Sequence, residues 1–353
     1  MQRRDVLKTA LALWCTRRAR SSDSTVATLI GTGSAGYSTR QVNNPYGLVI
    51  GPDGALYFCD LDNQRIRRLD LLTLQTRTVA GDGRRGYAGD GALATAASLD
   101  MPHEIQFDAA GHLYIAERDN HVIRRVHAST GIISTMAGTG QRGFSGDGGP
   151  AHHAQLRAPH SIAIDPTGSG LLICDTGNHR IRRVEFATGR IDTFAGTGDT
   201  GPTPDGAHLT STPLHGPRTM VFDAAGTLYV ALREGNAVYR VDESGRLFRV
   251  AGTGGEGYSG DGGPARFAQL GGPKGLACAH NLLYIADTEN HVIREVALQT
   301  GTIRTVLGTG HAGDGPEPDP LRCALNRPHG LMVDSRGVLY VADSESHRIR
   351  TLR

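Results

Sequence analysis

An all-β fold of six similar four-stranded sheets is predicted by a long repeat, by the strand pattern inside it, and by the match between the two chain ends. Prolines spaced 55 to 58 residues apart anchor the repeat: Pro45, Pro102, Pro159, Pro217, Pro273 and Pro328. A near-constant period of this length is typical of stacked or circularly arranged copies of one supersecondary unit. We therefore expect one closed domain, although 353 residues alone would suggest two or three.

The second copy illustrates the strand pattern. Residues 103–107 alternate polar and apolar side chains, as a half-buried strand does, and residues 112–116, 121–126 and 132–137 form three further apolar runs. Tight turns such as Asp108-Ala109-Ala110-Gly111 separate the runs. Four antiparallel strands per copy are the unit of a β-propeller, so six copies predict six blades.

The chain ends predict how the ring closes. The last copy stops at Thr351-Leu352-Arg353 after its third strand, and a matching fourth strand occurs at the other end, at residues 25–30. This N-terminal strand should complete blade six and remove the exposed sheet edges of an open array. Between blades, the spacing Ala151, Ala154, Leu156 predicts one short helical turn that packs on the rim.

Residues 1–22 are interpreted separately from the propeller domain, which spans residues 23–353. The segment Arg3-Arg4-Asp5-Val6-Leu7-Lys8 resembles a twin-arginine export signal, but its apolar stretch is short and no small-x-small cleavage site follows. The alternative is a basic, disordered start. We expect a periplasmic or secreted protein, or a cytoplasmic one if the signal is decayed, and no transmembrane segment.

Composition and charge argue against several classes of protein. Lysines and arginines number 37 and acidic residues 35, and the arginine-rich third strands lack the aromatic side chains that stack on unpaired bases. We therefore expect no nucleic-acid partner. The five cysteines show no paired spacing, so no disulfide framework is expected.

The turns after the second strands carry a family resemblance. The segments Asp175-Thr176-Gly177-Asn178-His179-Arg180 and Asp287-Thr288-Glu289-Asn290-His291-Val292 resemble the NHL repeat, which is named for its Asn-His-Leu core. The resemblance extends from about residue 25 to residue 353. It implies a six-bladed propeller and no single activity, since NHL propellers include protein-binding modules, RNA-binding domains and a zinc-dependent amidating lyase.

The residue after each anchoring proline begins the innermost strand, beside the central channel. This inner ring consists of Tyr46, His103, His160, Arg218, Lys274 and His329, and Glu104, Ser161 and Thr219 follow three of its members. Every member is polar, which the scaffold alone does not require. Tyr46, Arg218 and Lys274 are the candidate ligand-binding residues for a small anionic ligand.

The three histidines of the inner ring suggest a metal site as an alternative. Three protein ligands and an open water position are the catalytic zinc arrangement. His103, His160 and His329 resemble, in type and expected location, the histidines of the amidating lyase, and Glu104 would act as general base for a metal-bound water. No cofactor is certain, and zinc is the first candidate for one divalent metal. A further alternative is a polar, water-filled channel mouth.

Other repeated polar residues are interpreted as structural. A carboxylate recurs at one strand end in five copies: Asp60, Glu117, Asp175, Asp287 and Asp343. We expect these groups, the Asn-His pairs and the arginines of the third strands to bond within and between blades. Blade four departs from this pattern, with Leu232 in the acidic position and Ala237 in the histidine position.

These observations predict an exported, monomeric binding or interaction scaffold, whose partner protein or small anionic ligand binds the loop-rich face around the channel. The alternative is a lyase or hydrolase that uses a divalent metal at the channel mouth. A lactone hydrolase with a channel-bound calcium ranks lower, because it needs several inward acidic residues and the inner ring offers only Glu104.

Overall fold

Six antiparallel sheets, five of four strands and one with a short fifth strand at its edge, surround one axis in the computed structural model, which describes residues 24–353. The predicted six-bladed propeller is therefore confirmed. The twin-arginine-like segment lies outside the described residues. Among the described residues, no helix has the length and apolar character needed to cross a membrane.

The strand bounds follow the predicted repeat closely. Blade 1 contains β2 (Pro45–Ile50), β3 (Leu56–Asp60), β4 (Arg65–Leu69) and β5 (Thr76–Ala80). Blade 2 contains β6 (Pro102–Phe107), β7 (Leu113–Glu117), β8 (Val122–Val126) and β9 (Ile133–Ala137). Blade 3 contains β10 (Pro159–Ile164), β11 (Gly170–Asp175), β12 (Arg180–Glu185) and β13 (Ile191–Ala195). Blade 4 contains β15 (Pro217–Phe222), β16 (Leu228–Leu232), β17 (Ala237–Val241) and β18 (Arg246–Ala251), with the short β14 (Ala207–His208) added at its outer edge. Blade 5 contains β19 (Pro273–Ala279), β20 (Leu282–Asp287), β21 (Val292–Ala297) and β22 (Thr302–Leu307). Blade 6 contains β23 (Pro328–Val333), β24 (Leu339–Asp343), β25 (Arg348–Leu352) and β1 (Val26–Gly31).

Single 3-10 turns follow the second strand of several blades or lie on the rim. The turns after second strands are Leu61–Asn63, Thr176–Asn178, Thr288–Asn290 and Ser344–Ser346. The rim turns are Ala94–Ala96, Ala151–His153 and Ala265–Phe267. The predicted short helical turn is confirmed, since Ala151, Ala154 and Leu156 are all buried.

The N-terminal strand closes the ring as predicted. Val26 in β1 pairs with Leu352 in β25, and Ala27 pairs with Thr351. The backbone N–H of Thr25 donates to the carbonyl of Arg353 over 3.0 Å. Blade 6 therefore joins the two ends of the domain, and closure removes the free edges that an open array of blades would expose.

In five blades, the repeated carboxylate bonds to groups in and around the turn that follows the second strand. In blade 3, buried Asp175 accepts hydrogen bonds from the Arg157 backbone N–H (2.7 Å) and from Asn178 Nδ2 (2.8 Å), and it pairs with Arg182 (3.5 Å). Arg182 is 0% exposed. The structural interpretation of these carboxylates and of the buried arginines is thus confirmed, because their charges are already paired inside the blade.

The histidine of each Asn-His pair links one blade to the next. Its Nδ1 accepts the backbone N–H of the residue that precedes the next anchoring proline, as His291 does for Arg327 (3.1 Å) and His121 for Ala158 (3.2 Å). His347, which follows Ser346 and not an asparagine, makes the same bond to Asn44 (3.1 Å). In blade 4, Asn236 Oδ1 accepts the N–H of Gly272 over 2.9 Å. The assignment of Ala237 to this position was therefore wrong by one residue, since Asn236 makes the equivalent bond.

Blade 4 replaces the acid–arginine pair rather than leaving it broken. Leu232 is buried in the acidic position, and Tyr239 lies where Arg182 lies in blade 3. The Tyr239 hydroxyl donates to the carbonyl of Thr203 over 2.7 Å. An apolar leucine and a hydrogen-bonded tyrosine have taken the place of a buried ion pair, and such neutral replacements need not lower stability.

Candidate functional site

The start of each inner strand is shaped to present side chains to the channel. The residue before each proline has a positive φ, for example +50° at Met101 and +49° at Ala158. Directly after the proline the strand register shifts, so that Pro102 pairs with Glu117 but Glu104 pairs with Ala116. A bulge of this kind re-aims the side chains of the bulged strand. The same shift follows the proline in all six blades.

Four aromatic side chains of the predicted inner ring contact one another in a continuous arc across blades 6, 1, 2 and 3. The ring of Tyr46 stacks on His329 at 4.1 Å between centroids and meets the edge of His103 at 4.8 Å. His103 in turn meets His160 at 4.8 Å. The structure therefore brings these four predicted residues together.

His329 has both ring nitrogens satisfied inside the protein. The Ser344 hydroxyl donates to the carbonyl of Pro45 (2.6 Å), so it accepts the N–H of His329 Nδ1 (3.0 Å). His329 Nε2 is then the acceptor for the Tyr46 hydroxyl at 3.0 Å. His329 is thus part of a closed hydrogen-bond chain that joins blades 6 and 1.

His103 and His160 each keep one nitrogen available. Nδ1 of His103 lies 2.9 Å from the carbonyl of Met101, and Nδ1 of His160 lies 2.8 Å from that of Ala158. A carbonyl only accepts, so both Nδ1 atoms carry the proton. Burial, and then the charge of Arg218, lowers the pKa of both histidines well below its usual value. Each Nε2 is therefore an unprotonated acceptor, and neither has a hydrogen-bond partner within residues 24–353.

Arg218 is the exceptional cation of the inner ring. It is 6% exposed, and within residues 24–353 its guanidinium makes no hydrogen bond or ion pair. Burial lowers its pKa to about 10, which leaves it charged at neutral pH. Its charge also acts on Tyr46 and Glu104. A buried, charged and unpaired guanidinium thus faces the groups that line the channel.

Lys274 occupies the next blade but already has a partner. Its Nζ donates to Glu289 Oε1 over 2.6 Å. Glu289 also accepts two bonds from Arg327, at 2.8 and 3.0 Å. Burial opposes the ionisation of Glu289, but these hydrogen bonds outweigh it and lower its pKa to about 2. The charge of Lys274 is therefore held by a carboxylate that the sequence analysis did not select.

Two further polar groups beside the inner ring lack side-chain partners. The Ser161 hydroxyl is buried and has no hydrogen-bond partner among the described residues. Burial raises the pKa of Glu104 to about 8, so this carboxyl group is protonated at neutral pH. A Cβ at Gly47 would clash with Glu104 Oε1, and glycine there gives the Glu104 side chain its space.

The predicted zinc triad does not converge. Tyr46 stacks against His329 and contacts His103, and its hydroxyl occupies the Nε2 of His329. Among residues 24–353, no group of three His, Cys, Asp or Glu side chains could hold one metal ion. In this structure the residues do not surround one ion at His103, His160 and His329, and a metal bound there stays a prediction.

Sequence reasoning located the inner ring but not the pairing of its members. It missed Glu289, which pairs Lys274 with Arg327, and it did not distinguish satisfied His329 from His103 and His160. Glu289 follows the repeated acidic position by two residues, where blade 3 has Gly177. Five blades carry an acid at this position (Asp62, Asp119, Glu234, Glu289 and Glu345), and this second repeated acid was the available signal.

Comparison with protein families supports the repeat assignment. The Teneurin NHL domain family matches residues 91–185, and the NHL repeat family matches residues 325–352. The chain is 28% identical over 303 residues to Protein SUPPRESSOR OF QUENCHING 1, chloroplastic, of Arabidopsis thaliana, covering 81% of this chain and 28% of that protein. It is 27% identical over 280 residues to NHL repeat-containing protein 2 of Bos taurus, covering 68% and 37%. The chain thus spans well under half the length of these relatives.

Solved structures share the fold at low identity. An auxiliary nutrient binding protein from Bacteroides thetaiotaomicron superposes with a TM-score of 0.68 at 17% identity, covering 94% of this chain and 76% of that one. A streptogramin B lyase superposes with a TM-score of 0.55 at 12% identity, covering 94% and 97%. Likenesses at this level of identity concern the fold alone, so the function has to be argued from the site.

Proposed function

We propose that this chain, a β-propeller of the NHL-repeat family, is a binding scaffold that takes a small anion at its channel mouth, with Arg218 as the anion-binding residue. The observation that carries this proposal is the burial of a charged guanidinium that has no partner among the described residues. The inner ring around it is polar and surrounds the channel entrance.

A buried, unpaired charge is costly, and a protein retains one where a ligand completes the pair. Removing an ion from water without compensation costs several kcal/mol in a real protein. An anion in the channel would restore the pairing, and a guanidinium offers two parallel N–H donors to a planar oxyanion. Arg218 is therefore suited to recognise an oxyanion.

The neighbouring cations make the proposal specific to Arg218. Lys274 and Arg327 share Glu289, so an incoming anion would have to displace an existing carboxylate to use them. This contrast provides a matched pair of variants. Arg218→Gln removes the free charge, whereas Lys274→Gln removes a charge that is already paired.

The test is calorimetric titration of the purified protein with sodium acetate and with sodium phosphate. We expect Arg218→Gln to lose at least tenfold in affinity for the anion that binds, and Lys274→Gln to stay within about threefold of wild type. Thermal unfolding of both variants checks that they are folded. No binding of either anion to the wild type, or equal loss in both variants, would overturn the proposal.

A lyase or hydrolase at the same site is the second candidate, and one observation favours it. Glu104 holds a proton at neutral pH while His103 and His160 present unprotonated Nε2 atoms, so a general acid and a general base share one channel. Hydrolysis of δ-valerolactone or 4-nitrophenyl acetate by wild type but not by Glu104→Gln would support it. Equal rates in both would argue for a scaffold without catalysis.

We further propose that the protein is exported, on the basis of Arg3 and Arg4 in the segment 3–8. The test is fractionation of bacterial cells that express the full chain, in comparison with an Arg3→Lys/Arg4→Lys variant. Export of the wild type alone supports a working twin-arginine signal. Retention of both in the cytoplasm contradicts it.

A further inference from the structure

Resting on the anion site proposed above, we infer that its ligand is a small hydroxycarboxylate, whose carboxylate binds Arg218 while its hydroxyl group donates to Nε2 of His103 or His160. The chemistry left unsatisfied in the channel defines this class of ligand. Among the described residues it comprises one free cation, Arg218, and two acceptors that lack donors, Nε2 of His103 and of His160.

The need for a donor on the ligand follows from the histidine tautomers. The carbonyls of Met101 and Ala158 hold the protons of His103 and His160 on Nδ1, which leaves each Nε2 with a lone pair. The two imidazoles are in edge contact, at 4.8 Å between centroids. A small ligand beside one of them therefore also lies beside the other. A ligand that carried only acceptors would leave both nitrogens desolvated and unpaired, which costs binding free energy.

The charge of the ligand follows from the number of inner-ring cations that have no carboxylate partner. Among the described side chains of the inner ring, Arg218 alone carries a charge that no carboxylate compensates. A single negative charge balances it. A phosphate dianion would leave one charge uncompensated in a buried site, whereas a carboxylate matches the guanidinium in charge and in planar geometry.

The donor should be a neutral hydroxyl and not an ammonium group. The charges of Arg218 and Arg118 both lower the pKa of His103 and His160, so a cation placed between these imidazoles would be repelled. Lys274 adds to the same positive field at His103. A hydroxyl donates a hydrogen bond without adding charge, which favours a hydroxy acid over an amino acid.

The ligand should also be small. Tyr46, His103, His160 and His329 touch one another around one side of the mouth, at centroid distances of 4.1 to 4.8 Å. The charge of Arg218 acts on both imidazoles, so Arg218 lies near them and one small ligand with a carboxylate and a hydroxyl is suited to contact both. Glycolate is the smallest molecule with this arrangement.

The experiment compares glycolate with acetate, which lacks only the hydroxyl, by calorimetric titration of the purified full chain. We expect glycolate to bind about tenfold more tightly, as one hydrogen bond to a buried acceptor predicts. Glycine and phosphate complete the panel and should both bind more weakly than glycolate. This comparison needs no variant, so it does not depend on the folding of a mutant.

Two histidine variants then test whether His103 and His160 cause the preference for glycolate over acetate. In His103→Phe/His160→Phe the preference for glycolate over acetate should fall to about one. His329→Phe is the matched control, because it removes a ring-lining imidazole whose nitrogens are already satisfied. It should keep the preference even if it lowers the thermal stability.

The outcomes separate this inference from the anion site itself. Equal binding of acetate and glycolate, with both lost in Arg218→Gln, would overturn the hydroxyl donor and leave the anion site standing. Tighter binding of glycine would replace the hydroxyl by an ammonium group, and tighter binding of phosphate would exclude a carboxylate. No Arg218-dependent binding of any of the four would overturn the anion site as well.

Discussion

Arg218 and Lys274 begin the inner strands of adjacent blades, yet within the described residues only Lys274 has a carboxylate partner. Its Nζ lies 2.6 Å from Glu289, whereas the equally buried Arg218 forms no ion pair with residues 24–353. The two residues occupy equivalent positions in the repeat, and the turn of each blade carries an acid at the same position, Glu289 in blade 5 and Glu234 in blade 4. Glu234 pairs with Arg233 at 2.9 Å, so the difference between Arg218 and Lys274 comes from which cation that acid binds.

Removal of the partner of Lys274 should create a second free cation. In Glu289→Gln, both Lys274 and Arg327 lose their shared carboxylate, and we expect acetate affinity to rise about threefold or more at low salt. Calorimetric titration at low ionic strength measures the change. Glu345→Gln is the control, since it removes a carboxylate that binds Arg327 but not Lys274. An unchanged or reduced affinity in Glu289→Gln would argue that the channel does not use this charge.

Anion binding should weaken at alkaline pH because Glu104 ionises. Its pKa, raised by burial to about 8, keeps the carboxyl group neutral at pH 7, and above pH 8 the carboxylate would compete with the ligand for Arg218. We expect acetate affinity to fall about tenfold between pH 7 and pH 9 in wild type and to change little in Glu104→Gln. Titration at both pH values measures this. A fall of the same size in both proteins would assign the effect to another group.

The same group makes the folded state less stable as pH rises. Because the pKa of Glu104 is higher in the folded chain than in the unfolded chain, the folded state binds more protons between about pH 4.5 and about pH 8. Stability therefore decreases through that window. Urea unfolding at pH 5 and pH 9 should show Glu104→Gln gaining about 2 kcal/mol relative to wild type at pH 9, a discounted figure for a side chain that keeps some water contact. An equal difference at both pH values would contradict the assignment.

The buried acid–arginine pairs should be strongly coupled. Asp287→Asn leaves Arg294, which is 0% exposed, with the partly exposed Asp261 (2.7 Å) but without the buried carboxylate at 3.3 Å, and we expect a loss of about 2 kcal/mol of unfolding free energy. Asp287→Leu combined with Arg294→Tyr imitates blade 4, where Leu232 and Tyr239 occupy these positions. The double variant should recover part of the loss in a urea titration. A double variant that is less stable than Asp287→Asn would refute the idea that blade 4 carries an equivalent neutral pair.

The closing strand β1 should tolerate a new charged side chain on its exposed face but not on its buried face. Val26 is 1% exposed, whereas its neighbour Ala27 is exposed on the other face of the strand. Val26→Asp should cost about 3 kcal/mol or more, because it buries a carboxylate without a partner, and Ala27→Asp should cost under 1 kcal/mol. Thermal unfolding of both variants compares them directly. Equal losses would contradict the register of β1 on β25.

The sequence by itself determined the number of blades, the strands within each and the closure by the first strand. These features depend on periodicity and alternation, which are local properties that the chain repeats six times. The residues that line the channel also followed from the repeat, since each stands directly after an anchoring proline. The role of the buried acids and of the Asn-His pairs was predictable for the same reason.

Only the tertiary structure decided which of the channel residues are free to bind. Lys274 is paired by Glu289, 15 residues away, and Glu289 also binds Arg327, 38 residues away. His329 is satisfied by Tyr46, which lies 283 residues away in sequence but in the adjacent blade. Within residues 24–353, Arg218 lacks such a partner because Glu234, the blade 4 counterpart of Glu289, pairs with Arg233 instead, at 2.9 Å. Nε2 of His103 and of His160 has no hydrogen-bond partner among the same residues. Contacts between blades decide whether a polar side chain is hydrogen-bonded within the scaffold or is available to a ligand. Those contacts exist only once the ring has closed.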